Sequence, residues 1–244
     1  ATMNDGNGNE SGHVRIYEWS GTAWVKLGLD IDGESADDHF GYSVSMNALG
    51  DRVAIGSTGG FLSNFPNSGH AMIYQWSGTA WEQLGFDING EAHNDKFGYS
   101  VSMNANGNRV AIGASVNDGN GTSAGHARIY EWSGTAWVQL GVDVDGESDG
   151  DYSGLSISIN DVGDREAIGA PFNDGNGSAS GHVRIFEWSG TAWIQLGLDI
   201  DGEAVNDYSG YSVSMNSLGD RVAIGAYTND GIGSAAGHVR IYEW

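Results

Sequence analysis

The octapeptide GHVRIYEW, residues 12–19, recurs along the chain and decides its architecture. It returns at steps of 57, 56, 56 and 56 residues, as GHAMIYQW from Gly69, GHARIYEW from Gly125, GHVRIFEW from Gly181 and GHVRIYEW from Gly237. The chain is therefore built from repeats of about 56 residues: residues 1–225 make four units, and residues 226–244 repeat the register of residues 1–19. Because it starts and stops within a unit, we expect a piece of a longer array.

Composition favours many short strands joined by turns. The 244 residues include 40 glycines, 2 prolines and 39% hydrophobic residues, and no apolar run approaches the roughly 18 residues of a membrane helix. Ten basic against 32 acidic residues give a formal net charge of −22. That charge repels nucleic-acid phosphates and anionic lipid headgroups, so we expect neither nucleic-acid binding nor membrane insertion. The absence of cysteine excludes disulfides and thiolate metal sites.

Each unit contains four stretches with strand patterning, which in the first unit are residues 13–19, 23–28, 42–47 and 51–56. Two connections are short, the WSGTAW hairpin and a five-residue turn of the NALGD type, and two are long, an acidic segment and an NDGNG segment. Since alternate connections of an antiparallel meander emerge on opposite edges, both long links are predicted on one edge. The predicted fold is all-β: a β-propeller of four-stranded antiparallel blades, about four in this chain, alone or within a larger ring or array.

The pattern FGYSVSMN…DRVAIGA…GHVRIYEW resembles the FG-GAP repeat of integrin α-subunits and microbial surface proteins. Phe40-Gly41 and Phe97-Gly98 match its first pair, and Ile-Gly-Ala recurs at residues 112–114, 168–170 and 224–226. The resemblance implies a single repeat domain, residues 1–244, with the first strand of each blade innermost. Its blades would span about residues 40–85, 97–141, 153–197 and 209–244, the last completed by residues 12–28 or by another chain. Such repeats serve adhesion, ligand binding and scaffolding alike.

The acidic segment LDIDGESADDHFG, residues 29–41, raises the question of a metal site. Calcium-binding members of the family carry a DxDxDGxxD loop between the first two strands, but here that link is too short to wrap an ion. The acidic segment instead alternates oxygen ligands around a glycine, and calcium takes 6–8 oxygens in irregular geometry. The candidate Ca²⁺ ligands are Asp30, Asp32, Glu34 and Asp38; Asp87, Asn89, Glu91 and Asp95; Asp143, Asp145, Glu147 and Asp151; and Asp199, Asp201, Glu203 and Asp207.

An alternative interpretation assigns these carboxylates to Asp/Gly-rich turns, where they accept backbone N–H bonds. Crowding of the acidic links on one rim nevertheless favours a counter-cation. Dissociation constants of about 10⁻⁴ to 10⁻³ M for calcium are usual for extracellular modules and match the calcium supply outside cells. If the acidic segments bind calcium, we therefore expect an extracellular or cell-surface protein.

Other recurring residues favour structural roles. The histidines that start one strand per unit (His13, His70, His126, His182 and His238) predict a hydrogen bond to the neighbouring blade, and the recurring arginines predict ion pairs with repeat carboxylates. No Ser, His and Asp set occurs in a single copy, whereas an active site normally breaks repeat symmetry, so we expect no enzyme. The paired tryptophans of WSGTAW predict packing within the hairpin or against the next blade.

Two departures from the repeat stand out. Residues 57–68, STGGFLSNFPNS, replace the NDGNG link, and Phe61, Leu62 and Phe65 there are predicted to be exposed unless they contact a partner or the adjacent blade. Glu166 replaces the valine of the other copies on an inner strand, where a buried carboxylate is costly unless paired.

The leading functional prediction is an extracellular, non-catalytic β-propeller that binds a glycan or protein partner through its acidic edge, with Ca²⁺ as the candidate cofactor. The alternative is a structural assembly protein whose repeats oligomerise or form a filament by self-association through edge strands.

Overall fold

The computed structural model describes residues 1–59, 61–62, 65–231 and 233–244, without the side chains of residues 61–62 and 65–66. Throughout these residues the regular structure is β, and no helix long and apolar enough to cross a membrane occurs among them. In chain order the strands are β1 (His13–Val14), β2 (Tyr17–Trp19), β3 (Trp24–Lys26), β4 (Ile31–Asp32), β5 (Ser43–Met46), β6 (Arg52–Ser57), β7 (Phe61–Leu62), β8 (Phe65–Pro66), β9 (His70–Trp76), β10 (Trp81–Gln83), β11 (Ile88–Asn89), β12 (Phe97–Met103), β13 (Arg109–Ala114), β14 (His126–Trp132), β15 (Trp137–Gln139), β16 (Val144–Asp145), β17 (Ser156–Ile159), β18 (Arg165–Ala170), β19 (His182–Trp188), β20 (Trp193–Gln195), β21 (Ile200–Asp201), β22 (Ser209–Met215), β23 (Arg221–Ala226) and β24 (His238–Glu243).

Three sheets repeat the same antiparallel order. They run β5-β6-β9-β10, β12-β13-β14-β15 and β17-β18-β19-β20, so that consecutive strands are neighbours, as in a meander. This arrangement confirms the predicted all-β fold of four-stranded antiparallel repeats, which is β-propeller-like.

The acidic segment is more regular than the long loop expected from its composition. Its central pair of residues forms a fifth short strand in each complete sheet: β11, β16 and β21 pair with β9, β14 and β19. In the second sheet, for example, Asp145 lies opposite His126 and Val144 opposite Ala127. The repeat therefore presents its carboxylates from a strand and the turn that follows it, beside the histidine that starts the third strand.

The two ends of the array are incomplete sheets. At the beginning β1 pairs with β4 and β2 with β3; at the end β22, β23 and β24 form a three-stranded sheet. In the part of the chain that the structure describes, no strand from residues 12–28 pairs with β24.

Hydrophobic residues fill the spaces between successive sheets. Ala54 and Ile73 of the first sheet pack with Phe97, Val101 and Ile112 of the second, and the same arrangement recurs between later sheets. Both faces of an inner sheet are thus apolar, as expected for stacked blades.

Stacking is close enough to require glycine at the inner strands. A Cβ atom built on Gly113 would lie 2.1 Å from the carbonyl oxygen of Gly154 in the next sheet, and one on Gly169 would lie 2.1 Å from that of Gly210. The Ile-Gly-Ala motifs therefore meet the Ser153-Gly154 and Ser209-Gly210 pairs, which stand at the Phe-Gly position of the repeat, with their backbones in direct contact.

Beyond these shared features, the divergent segment contributes a short antiparallel pair, β7 and β8. The prediction that Phe61, Leu62 and Phe65 are exposed concerns side chains outside the described part of the chain.

Candidate functional site

In the first, third and fourth units both long links lie on one edge of the array, as strand parity predicts. The Asn120 side chain donates to the carbonyl of Gly146 (2.8 Å), and the Thr122 amide donates to Asp149 Oδ1 (3.0 Å). Equivalent amide bonds join Asn7 to Gly33 and Asn176 to Gly202. The acidic segment and the NDGNG loop of one unit therefore form a continuous surface, which we call the acidic edge.

The last aspartate of each acidic frame has a structural role. Asp95 Oδ2 accepts bonds from the Ala92 amide (3.0 Å) and from Asn117 Nδ2 (2.9 Å), and burial raises the pKa of this carboxyl. These four carboxylates are almost fully buried: Asp38, Asp95, Asp151 and Asp207. They support the turn interpretation for this position of the frame.

Arginines bridge the carboxylates of successive repeats. Arg128 Nη2 donates to Glu91 Oε2 of the preceding unit (2.5 Å) and to Asp143 Oδ2 of its own (2.6 Å). Although burial opposes it, hydrogen bonds from Arg128 and Gln139 hold the pKa of Asp143 below its usual value. At the first unit, hydrogen bonds from Arg15 and Lys26 lower the pKa of Asp30 to about 2.

The predicted pairing of the recurring arginines with repeat carboxylates is thus confirmed for most copies. The remaining pairs are Arg109 with Glu131, Arg165 with Glu187, Arg184 with Glu147, Arg221 with Glu243 and Arg240 with Glu203. In the unit where Met72 takes the arginine position, Glu34 lacks this ion pair, and burial together with nearby Asp87 raises its pKa.

The strand-start histidines face these carboxylates. Three groups place one histidine nitrogen and two carboxylate oxygens within 4.8 Å of one another: His13 with Asp30 and Asp32, His126 with Glu91 and Asp143, and His182 with Glu147 and Asp199. Burial and Arg128 lower the pKa of His126 to about 4, so its ring is neutral at physiological pH.

The predicted hydrogen bond of these histidines to the neighbouring blade is wrong for His126. Neither of its ring nitrogens has a hydrogen-bond partner among the described residues, and Nδ1 lies 3.8 Å from Asp143 Oδ2. The physical reason is that pairing of β16 with β14 places the acidic segment beside the ring, with its nearest carboxylate oxygen beyond hydrogen-bond distance. Sequence reasoning missed the grouping because Glu91 belongs to the preceding repeat.

The remaining candidate ligands make different contacts, which depend on their position in the acidic segment. The second residue of each frame lies on a short strand opposite a histidine: Asp32, Asn89, Asp145 and Asp201. Asp87 and Asp199 accept bonds from Gln83 and Gln195 of the outer strands (2.6 and 2.7 Å). Glu203 lies beside His238 and Arg240 at the end of the array.

An accumulation of oxygen ligands lies between the third and fourth acidic segments. A cavity of ≈ 530 Å³ there, which we call the acidic groove, is lined by Glu147, Ser148, Asp149, Asp151, Asn173, Asp174, Gly175, Asp199 and Asp201. The sequence predicted four of its carboxylates as ligands: Glu147, Asp151, Asp199 and Asp201. Asp149 of the third acidic segment was not proposed, and Asp174 joins the groove from an NDGNG loop.

Sheet order and the acidic edge together define a β-propeller-like repeat protein with an oxygen-rich face. The FG-GAP repeat family matches residues 89–130. This stretch includes Phe97-Gly98 and Ile112-Gly113-Ala114, two of the motifs that suggested the family, so the predicted FG-GAP repeat is confirmed over residues 89–130. A search of curated proteins found no match to this chain.

Proposed function

We propose that this chain is a non-catalytic binding and adhesion module, working outside the cell or at its surface, whose acidic edge recognises a protein or glycan partner with the help of calcium. The match to the FG-GAP repeat supports a propeller-type binding module. Calcium binding and recognition through the acidic edge are the parts of the proposal that go beyond this family match.

The observation that carries the proposal is the acidic groove. Six carboxylates line it, whereas two guanidinium groups lie beside it: Arg184 Nη1 lies 3.7 Å from Glu147 Oε1, and Arg240 Nη2 donates to the Asp201 carbonyl (2.8 Å). Two positive charges leave most of the negative charge in place, so a divalent cation entering the groove would relieve repulsion. Carboxylates and an amide oxygen are the ligands that calcium prefers. A bound ion with incomplete protein coordination would accept further oxygens from a sugar hydroxyl or a partner carboxylate.

Calcium is expected to stabilise the folded chain. With the affinities of about 10⁻⁴–10⁻³ M usual for extracellular modules, 10 mM calcium at one site adds about 1.4–2.7 kcal/mol to the free energy of unfolding. For a chain of this size that corresponds to a rise in Tm of roughly 3–10 °C. The measurement is thermal unfolding in calcium, in magnesium at equal ionic strength, and in chelator.

Two double variants locate the effect. Asp149→Asn/Asp201→Asn keeps an oxygen at each position but removes two groove charges, and it should lose most of the calcium-dependent shift. Glu18→Gln/Glu82→Gln removes the same charge from exposed positions outside the groove and should keep the shift. Equal Tm values in calcium, magnesium and chelator would refute the calcium part of the proposal.

Partner recognition is tested separately. Binding to a glycan array or to a panel of immobilised surface proteins should disappear in chelator and in the groove variant, and should persist in the charge-matched control. Binding that is the same for both variants would place recognition elsewhere on the molecule.

A further inference from the structure

An apolar groove of ≈ 200 Å³ lies at the end of the array, which we call the end groove. Its hydrophobic lining comes from the last two units: Ile185, Leu196, Met215, Val222, Tyr242 and Trp244. The acidic groove is separate from it and lies on the acidic edge.

The corresponding grooves of earlier units hold a tryptophan from the next unit. Trp81, Trp137 and Trp193 each donate their indole N–H to a leucine carbonyl of the preceding repeat: Leu27 (3.0 Å), Leu84 (2.8 Å) and Leu140 (2.9 Å). Leu196 is the fourth leucine of this series. Among the described residues, no indole donates to its carbonyl. The end groove is therefore a fourth copy of a site that takes an indole three times in the same molecule.

One exposed tryptophan of the chain has the repeat position of the tryptophans that fill the earlier grooves. Trp24 occupies the same repeat position as Trp81, Trp137 and Trp193, but its side chain is 67% exposed because no described repeat precedes it. The two ends thus carry the two halves of one contact, the donor at the beginning and the acceptor at the end.

The sheet faces at the two ends are also halves of one interface. Ile241 on β24 is 74% exposed, whereas its equivalent Ile129 is 1% exposed beneath the next sheet. At the other end Val44 on β5 is 55% exposed, whereas its equivalent Val101 is 9% exposed. Exposed apolar faces of this kind are typical of association surfaces. In the interior of the array, such faces pack against each other.

The edge strand β24 has the same sequence as the strands that residues 24–32 pair with at the beginning of the chain. Residues 12–19 and 237–244 both read GHVRIYEW. On the first copy, Trp19 pairs with Trp24 and Val14 with Ile31, so residues 24–32 form its outer strands. On the second copy, β24 pairs only with β23 in the described structure. Residues 24–32 of another molecule would meet the same backbone groups and the same side chains there.

We propose that this protein associates head to tail with a second copy of itself by strand exchange. Residues 24–32 of the second molecule leave their own residues 13–19 and pair with β24 of the first molecule. Trp24 then enters the end groove and donates its indole N–H to the Leu196 carbonyl, and β5 of the second molecule packs on β22 and β23 of the first. The exchange releases residues 12–19 of the second molecule and gives their outer strands to the identical octapeptide of the first, so the number of strand pairings is unchanged. It also buries apolar faces that the single molecule exposes at both ends.

The geometry makes this association heterologous, because one end of the molecule binds the opposite end of the next. Such contacts grow into open chains or close into rings. Each copy carries a formal charge of −22, so association is expected to strengthen as salt screens the repulsion. An interface held mainly by ion pairs would respond in the opposite direction.

The test is sedimentation velocity of the whole chain between about 1 and 200 µM, with and without added salt. We expect the weight-average mass to rise at least twofold over this range. Trp24→Ala and Ile241→Glu alter side chains that are already exposed, so both should fold and stay monomeric. Phe86→Ala removes an exposed aromatic ring away from both ends and should associate as the parent does.

A reversible lock separates strand exchange from simple docking. Glu18 and Val25 are cross-strand partners in the β2–β3 hairpin, and the chain has no other cysteine to interfere. Cα atoms of such partners lie about 4.5–5.5 Å apart, within the range of a disulfide. The double variant Glu18→Cys/Val25→Cys should be monomeric when oxidised and should associate when reduced. Association that persists in the oxidised form would overturn the exchange.

Two further outcomes would overturn the proposal. One is a parent chain that stays monomeric over the whole range. The other is contact between Trp24 and Leu196 within a single molecule, detected by cross-linking at low concentration, because this would mean that the ends close on each other.

Discussion

Replacement of Glu166 by valine is expected to raise the free energy of unfolding at neutral pH by roughly 3–5 kcal/mol. The side chain is fully buried on β18, and neither carboxylate oxygen has a hydrogen-bond partner among the described residues. Its cross-strand neighbours are Ile159 and Phe186, so nothing in these strands compensates the lost hydration. The other copies of the repeat place valine here: Val53, Val110 and Val222.

The pH dependence of this gain identifies its cause. Burial raises the pKa of Glu166 from 4.5 to about 8 in the folded protein. Between these values the unfolded chain has released its proton and the folded chain still holds it, so stability falls as pH rises from about 4.5 to about 8. The difference between Glu166→Val and the parent should therefore be smallest near pH 4, where only the cost of a buried neutral carboxyl without a partner remains, and largest at pH 8 and above. Denaturant unfolding of both proteins at several pH values measures the difference and cancels the titration of the other carboxylates.

A glutamine variant separates charge from polarity. Glu166→Gln cannot titrate, so its stability relative to Glu166→Val should be independent of pH, but it buries an amide without a partner and should remain less stable than the valine variant. A constant difference between the parent and Glu166→Val from pH 4 to pH 8 would contradict the assignment.

The fold was predictable from the sequence because it depends on the number of strands in each repeat and on the order of the short and long connections between them. Four alternating stretches per repeat fix the meander, and the parity of the connections puts the acidic and NDGNG links on one edge, as the bond from Asn120 to Gly146 confirms. Apolar residues on both faces of HARIYEW indicate stacking of sheets, which the packing of Ile129 between neighbouring sheets bears out. These features require only local geometry and the repeat period.

The site was less predictable because it is assembled between repeats. One acidic frame serves three different purposes: Asp95 caps a turn, Asp143 pairs with Arg128, and Asp201 lines a groove. The bonds from Ala92 to Asp95 and from Arg128 to Asp143 lie within one repeat, but the groove and the approach of Arg128 to Glu91 depend on how far each sheet is rotated against the next, and no spacing within a repeat encodes that rotation. The proximity of His126 to Glu91 has the same origin. The arrangement of the two ends also depends on this rotation, added up over all units.

Alanine at Gly113 is expected to destabilise the folded chain by roughly 3 kcal/mol or more, the largest loss we predict for a single methyl group. The new Cβ would lie 2.1 Å from the carbonyl oxygen of Gly154 and 2.5 Å from Ser100 Oγ. The hydroxyl can rotate away, but the carbonyl belongs to the backbone of the next sheet, so relief requires the two sheets to separate. Separation would loosen the hydrophobic contacts between them along their whole length.

The last repeat supplies a matched control, because Gly225 occupies the same position as Gly113. A Cβ there would approach Ser212 Oγ at 2.4 Å, but no backbone carbonyl of another sheet lies nearby in the described structure. Gly225→Ala should therefore cost about 1 kcal/mol or less in the monomer, and the difference between the two variants isolates the contact between sheets. In the head-to-tail assembly a second copy would cover this glycine, so the same variant should also weaken association. Equal losses at Gly113 and Gly225, measured by denaturant unfolding at low protein concentration, would mean that glycine is required within a sheet rather than between sheets.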